Sequence, residues 1–247
     1  MVRILGAEAS RGFRRARSPV KSLFVTGTDT GIGKTVVAAG VAAALARKGV
    51  NVGVMKPVST GARRQGAKLI SEDARLLIEA AGVRDPVELV NPVCLQPALA
   101  PSVASRVSHH PIDLTRIWKA YKILSKMHEV VIVEGVGGLL VPILERYYVS
   151  DLIERLDLRA LVVTRPTLGT INHTLLTVRV ARQQGIELCG LVVNHHEKFK
   201  LGIAERMNPE LLESLANVPL LGEVPFLGDL RGRPPAAEIF EEIVNGL

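Results

Sequence analysis

The sequence predicts an α/β protein of one domain, a mostly parallel sheet flanked by helices. Short β-branched apolar runs alternate with longer stretches of helical periodicity along nearly the whole chain after residue 20, the pattern of βαβ units. With 247 residues, 47% hydrophobic and 22% charged, the chain has the apolar mass for a sizeable core and is neither disordered nor fibrous. No repeat or low-complexity block interrupts that alternation.

The elements follow in order. Leu23, Phe24 and Val25 mark a first strand over 22–26, and the Ala- and Val-rich stretch 34–48 a first helix. Val52, Val54 and Met55 give a strand over 51–55, followed by a helix over 72–81. Residues 83–111 hold Pro86, Pro92, Pro97, Pro101 and Pro111, and predict a long excursion over one face rather than a domain boundary. A helix over 114–127 carries Leu114, Ile117, Trp118, Tyr121, Leu124 and Met127 at helical spacing behind an Asp113 cap, a stripe read as core packing. Strands over 129–133, 159–164, 187–193 and 220–224 then alternate with helices over 171–184, 209–216 and 236–244. Ligands of such sheets bind at the carboxyl ends of the strands, so the loops there are expected to carry the chemistry.

Charge and cysteine content narrow the classes. The formal net charge is +7, but residues 1–21 hold six cations (Arg3, Arg11, Arg14, Arg15, Arg17, Lys21) against Glu8 alone. The body is therefore nearly neutral, and no nucleic-acid partner is expected. Residues 1–20 read as a basic, disordered tail without catalytic role, ahead of one domain over 21–247. Cys94 and Cys189 match no metal spacing and read as reduced thiols, so a cytoplasmic location is expected. The longest apolar run, 36–46, is only 11 residues long, far short of the ~20 that span a bilayer. No membrane partner is expected.

The strongest motif is Gly27-Thr-Asp-Thr-Gly31-Ile32-Gly33-Lys34-Thr35 between the first strand and the first helix. Glycines let backbone amides approach phosphates, the helix start adds positive potential, a Lys reaches the β/γ-phosphates and a hydroxyl binds Mg²⁺. The spacing is one residue longer than the ordinary phosphate loop. Glu134 ends another strand before Gly135-Val136-Gly137-Gly138, where a carboxylate can hold Mg²⁺ or its water. Lys56 stands at the end of the second strand, on the same sheet edge. Asp73 offers a further metal ligand, although Ser71 or Asp73 can equally cap the helix that starts there. Leu168-Gly169-Thr170-Ile171-Asn172-His173 opens a helix whose free amides suit a carboxylate. Asn194 ends a strand with an amide that complements an adenine edge. The histidines have no metal spacing, no nucleophile elbow is present, and Lys56 replaces the acid a dinucleotide site wants.

Together the segments 25–35, 56–61, Asp73, 133–138, 168–173, 193–194 and 220–225 resemble, in order, those of the dethiobiotin synthetase family of phosphate-loop NTPases, whose loop has the same longer spacing. The resemblance implies an enzyme of biotin synthesis. It would join CO2 to the two amines of 7,8-diaminononanoate, with ATP as co-substrate, Mg²⁺ as cofactor and a carbamic–phosphoric anhydride as intermediate. By resemblance, Lys34, Lys56 and Thr30 are catalytic, and Thr35, Asp73 and Glu134 hold Mg²⁺. Gly31, Ile32, Gly33, Lys34, Thr35, Val36, Asp73, Glu134, Gly135, Val136, Gly137, Asn194, Pro225, Phe226 and Leu227 would bind the nucleotide. Thr60 (where the family commonly has Ser), Gly138, Thr170 and Asn172 would bind substrate. The resemblance also implies a homodimer with the substrate site at its interface. Gly31 falls where some members have Glu, and 195–207 matches weakly. A partition or cell-division ATPase is the main alternative, but its signature Lys five residues before the loop Lys is Asp29 here. A further alternative is another amide-forming ligase, with a glutamine-hydrolysing domain for which no length remains.

Overall fold

The computed structural model describes residues 21–198, 202–228, 230 and 232–247; the basic tail expected over 1–20 lies outside them. The chain runs β1 (Leu23–Gly27), α1 (Lys34–Arg47), β2 (Val52–Met55), β3 (Val58–Ser59), a hairpin of β4 (Arg63–Gln65) and β5 (Lys68–Ile70), and α2 (Glu72–Ala81). The Pro-rich excursion contains α3 (Val87–Val90), β6 (Val93–Cys94) and α4 (Pro101–Ser108), and leads into α5 (Leu114–Met127) and β7 (Val130–Glu134). A second hairpin, β8 (Pro142–Leu144) and β9 (Tyr147–Tyr148), precedes α6 (Val149–Leu156), β10 (Arg159–Thr164), α7 (Thr170–Gln183), β11 (Leu188–Asn194), α8 (Ile203–Ala216) and β12 (Leu220–Val224). The chain closes with a 3-10 turn, Ala237–Phe240, and α9 (Glu241–Gly246).

Six strands form one parallel sheet in the order β12-β11-β10-β1-β7-β2. Side chains alternate across it as strand geometry requires. Leu23, Val25, Val130, Ile132, Leu161 and Val163 pack with α1, α2 and the C-terminal segment. Phe24, Val131, Val133 and Ala160 pack with α4, α5 and α6, and Val162 and Val193 with α7 and α8. On the first face, α1 approaches the C-terminal turn so closely that a Cβ on Gly40 would stand 2.3 Å from the Phe240 ring.

All six predicted sheet strands are present with ends shifted by at most one residue. The helices differ more. The excursion 83–111 holds two helices because Pro86 and Pro101 precede or begin their first turns instead of ending structure. The helix α8 begins at Ile203 rather than 209, with Pro209 inside it. Glu205 Oε2 accepts from Gly202 N–H at 2.9 Å, and Asn208 Nδ2 donates to Pro166 O at 2.6 Å; these anchors offset the missing donor of the proline. The short α6 starts where Asp151 Oδ2 accepts from Tyr148 N–H at 2.6 Å. The predicted helix 236–244 divides into the 3-10 turn and α9.

Candidate active site

At the carboxyl end of β1, the loop 28–33 wraps onto the start of α1. Gly33 adopts φ 89°, which L side chains rarely take, and a Cβ there would meet Asn194 Nδ2 at 2.0 Å. Asn194 is buried at the end of β11 and donates from Nδ2 to Ile32 O at 2.8 Å. One donor of the amide expected to read adenine is therefore committed to fastening the loop. Thr28 N–H donates to Val163 O at 3.1 Å, Thr30 N–H to Asp29 Oδ1 at 2.7 Å, and Lys34 Nζ to Asp29 O at 2.8 Å. Lys34 thus lies folded over its own loop. Its burial, helped by nearby Lys56, pulls its pKa down to about 8 against the pull of Glu134.

Beside the loop, three strand and helix ends converge on one ammonium. Lys56 Nζ donates to Glu134 Oε1 at 2.5 Å and to Gly135 O at 3.2 Å, and pairs with Asp73 Oδ2 at 2.9 Å. Thr35 Oγ1 donates to the same Glu134 Oε1 at 2.8 Å. Burial opposes the Lys56 charge, but the two carboxylates outweigh it and hold its pKa above the usual lysine value. Burial likewise works against the Asp73 charge, and Lys56 overcomes it, holding that carboxyl below its ordinary range. Glu134 goes the other way, raised by burial and by Asp73 in spite of Lys56. Its second oxygen, Oε2, is buried without a hydrogen-bond partner.

The supports of this cluster are local. Ser71, not Asp73, caps α2 by accepting from Ala74 N–H at 3.2 Å, which leaves the Asp73 carboxylate free to face Lys56. Ser59 Oγ donates to Ser71 Oγ at 2.8 Å. Lys56 N–H donates to Val90 O at 2.7 Å, and Asn91 Nδ2 to Lys56 O at 2.6 Å, so the excursion holds the lysine backbone from behind. Sequence reasoning gave no role to Ser59, although it lies within the segment 56–61, or to Asn91, which lies in no motif; their parts show only in the bonds from Ser59 to Ser71 and from Asn91 to Lys56 O.

A cleft of about 310 Å³ adjoins the loop, lined by Thr28, Thr30, Gly138, Leu140, His173 and Leu176 among others. It brings together the predicted Thr30 and Gly138 with the first turns of α7. Asn172, in the first turn of α7, is exposed but does not line the cleft. Thr170 is not available as expected: it is 1% exposed, and its hydroxyl lies 2.7 Å from Thr164 Oγ1 inside the fold. Ile32 is also buried in the core, so only its backbone faces the loop. Thr60 is half-buried after β3, and Pro225-Phe226-Leu227 follow β12 with Phe226 exposed. A larger hollow, about 630 Å³, lies between the β4–β5 hairpin and α4 and contains none of the predicted site residues. Among the described residues, no group of three or more His, Cys, Asp or Glu forms a metal cluster. None of the described helices is long and apolar enough to cross a membrane.

Residues 21–233 match a family described as an AAA domain. The chain is 42% identical to an ATP-dependent dethiobiotin synthetase of Thermodesulfovibrio yellowstonii over 84% of this chain and 89% of that protein. It is 41% identical to that of Methanocaldococcus jannaschii over 82% and 92%, and 37% identical to that of Bacillus subtilis over 85% and 90%. Among solved structures, the MinC:MinD cell division complex of Aquifex aeolicus matches with TM-score 0.59 at 18% identity, covering 92% of this chain and 95% of that one. A ParA family ATPase of Chlorobium tepidum matches with TM-score 0.55 at 16% identity, covering 92% and 100%. At such identities these structures share the fold alone. The sequence relatives, aligned over nearly their full lengths, decide between the two groups: the chain belongs to the ATP-dependent dethiobiotin synthetase family.

Proposed function

We propose that this chain carboxylates 7,8-diaminononanoate with CO2 and closes the product to dethiobiotin, converting ATP to ADP and phosphate. The observation that carries this reading is the pair of buried lysines, Lys34 and Lys56, beside a cleft that is polar at the loop and apolar along Leu140 and Leu176. The apolar wall suits an aliphatic diamine chain. The chemical difficulty is electrostatic, because an anionic carbamate must meet an anionic phosphate. Fixed cations in a site shielded from water lower that repulsion at no reorganisation cost. In this reading one amine and CO2 form a carbamate, whose oxygen attacks the γ-phosphorus with release of ADP. The second amine then attacks the carbamoyl carbon, and phosphate leaves. Lys34 steadies the β- and γ-phosphates from the loop, Lys56 the carbamate and the transferring group, and Thr30 lies at the junction of loop and cleft. Thr60 and Gly138 border the substrate, and Asn194 and the 225–227 turn frame the adenine.

Mg²⁺ fits the residues present. Thr35, Asp73 and Glu134 supply only oxygen donors, Glu134 Oε2 is buried without a partner, and one or two carboxylates with nucleotide phosphates are what that ion takes. Its contribution is to neutralise charge between the phosphates. The exposed Leu140, Leu168 and Leu176, at 54%, 86% and 53%, surround the cleft and the start of α7. They support a homodimer in which Asn172 and the free amides at the start of α7 hold the substrate carboxylate of the neighbouring subunit. The test is phosphate release with MgATP and bicarbonate, with and without the diamine. Release that requires the diamine and equals the dethiobiotin formed is the expected result. Release indifferent to the diamine overturns the proposal.

A further inference from the structure

Four threonines meet at the carboxyl end of β10, and no step of the proposed reaction uses Thr164 or Thr174. Both are fully buried, and Thr170 is 1% exposed. Thr164 Oγ1 lies 2.7 Å from Thr170 Oγ1 and 2.9 Å from Thr174 Oγ1, and accepts from Thr28 Oγ1 at 3.4 Å. A hydroxyl has one proton to give and two lone pairs to fill. By accepting from Thr28 and one α7 threonine while donating to the other, Thr164 is saturated by these three partners. Thr28 belongs to the phosphate loop and is also held to this strand end by its N–H on Val163 O at 3.1 Å. Thr170 and Thr174 occupy the first two turns of α7. A shift of the loop alone strips Thr164 of one of its donors, and a shift of α7 alone leaves the buried Thr170 and Thr174 hydroxyls without this partner, which is the costly outcome for such groups.

We propose that Thr164 is a positioning residue that couples occupancy of the phosphate loop to carboxylate binding at the start of α7. The inference rests on the reading of α7 given above. Because that helix start serves the neighbouring subunit, nucleotide in one subunit tightens the diamine in the other. Coupling of binding is reciprocal, so the diamine tightens the nucleotide by the same factor.

The experiment is calorimetric titration of 7,8-diaminononanoate into the full chain, with and without a saturating non-hydrolysable ATP analogue and Mg²⁺. The ratio of the two Kd values is the readout. Wild type is expected to bind the diamine more tightly with nucleotide. Thr164→Val is expected to shrink that ratio by about three- to tenfold, the range one hydrogen bond spans, while nucleotide affinity alone stays within about twofold. Thr164→Ser, which keeps the hydroxyl, restores the ratio; a merely structural role would leave the ratio unmoved once the protein is folded. Thr174→Val removes one arm and is expected to lose part of the ratio, which keeps the test decisive if Thr164→Val does not fold. A wild-type ratio in the folded Val variants, or a ratio of one in wild type, overturns the coupling. Failure of wild type to bind the diamine under either condition overturns the functional reading and the coupling with it.

Discussion

Lys56 pairs with two carboxylates in the resting site, so its removal has two separable effects. Lys56→Ala is expected to cut turnover by about 10²-fold or more, the loss seen when a preorganised transition-state contact goes, with MgATP affinity largely spared. The same change leaves Glu134 buried without its cation, at a cost of about 3–5 kcal/mol in stability; single-turnover rates, nucleotide binding and melting separate the two. Near-normal rates would remove Lys56 from the mechanism. Lys34 makes a pH prediction. Its folded-state pKa of about 8 lies below the ordinary 10.5, so between those values the unfolded chain keeps a proton the folded chain has released, and stability rises with pH. Nucleotide phosphates favour the charged form, so MgATP binding is expected to take up protons just above pH 8 and to weaken as pH rises further. Calorimetry in buffers of different ionisation enthalpy reads this directly, and an unchanged proton balance would contradict it. Lys34 and Glu134 were legible as single residues because each sits in a motif. The shared Glu134 oxygen that joins Lys56 and Thr35 was not, because its partners lie 78 and 99 residues away.

Short caps and close approaches decide how the elements hold those residues. Ser71→Ala removes the cap of α2 and the bond from Ser59, and is expected to destabilise the protein by about 1 kcal/mol. Because α2 carries Asp73, a rise in KM for MgATP is expected with it; denaturant unfolding and kinetics on the same sample check both. Gly40→Ala drives a methyl into the Phe240 ring and is expected to cost about 1–3 kcal/mol by overpacking, with the nucleotide site unaffected. An unchanged denaturation midpoint would show that the C-terminal turn is free to move aside. Strands were the more legible elements, since a buried parallel strand is a continuous apolar run with few alternatives. Helices around proline were less so: Pro209 reads locally as a boundary, and only Asn208 on Pro166 O and Glu205 on Gly202 N–H show that α8 runs through it.

At the scale of the whole molecule, one parallel fold serves this family and the MinD and ParA ATPases, so the fold does not choose the reaction. In the reaction proposed above, that choice lies in the residues at the strand ends, with Asp29 in place of a signature Lys, and Lys56 facing Glu134 and Asp73. The proposed dimer is tested by Leu168→Asp together with Leu176→Asp. These substitutions are expected to weaken self-association in sedimentation and raise KM for the diamine more than for MgATP; an unaltered sedimentation profile would place any interface elsewhere. The sequence by itself determined the sheet, the order of its loops and the family, because apolar periodicity and short glycine motifs act through near neighbours in the chain. Only the tertiary structure decided which groups are spent on the fold. It turned the Thr170 hydroxyl inward, set Asn194 against the loop and gave the cap of α2 to Ser71. Each choice follows from which buried donors and acceptors meet across distant segments, where an unpaired polar group is costly.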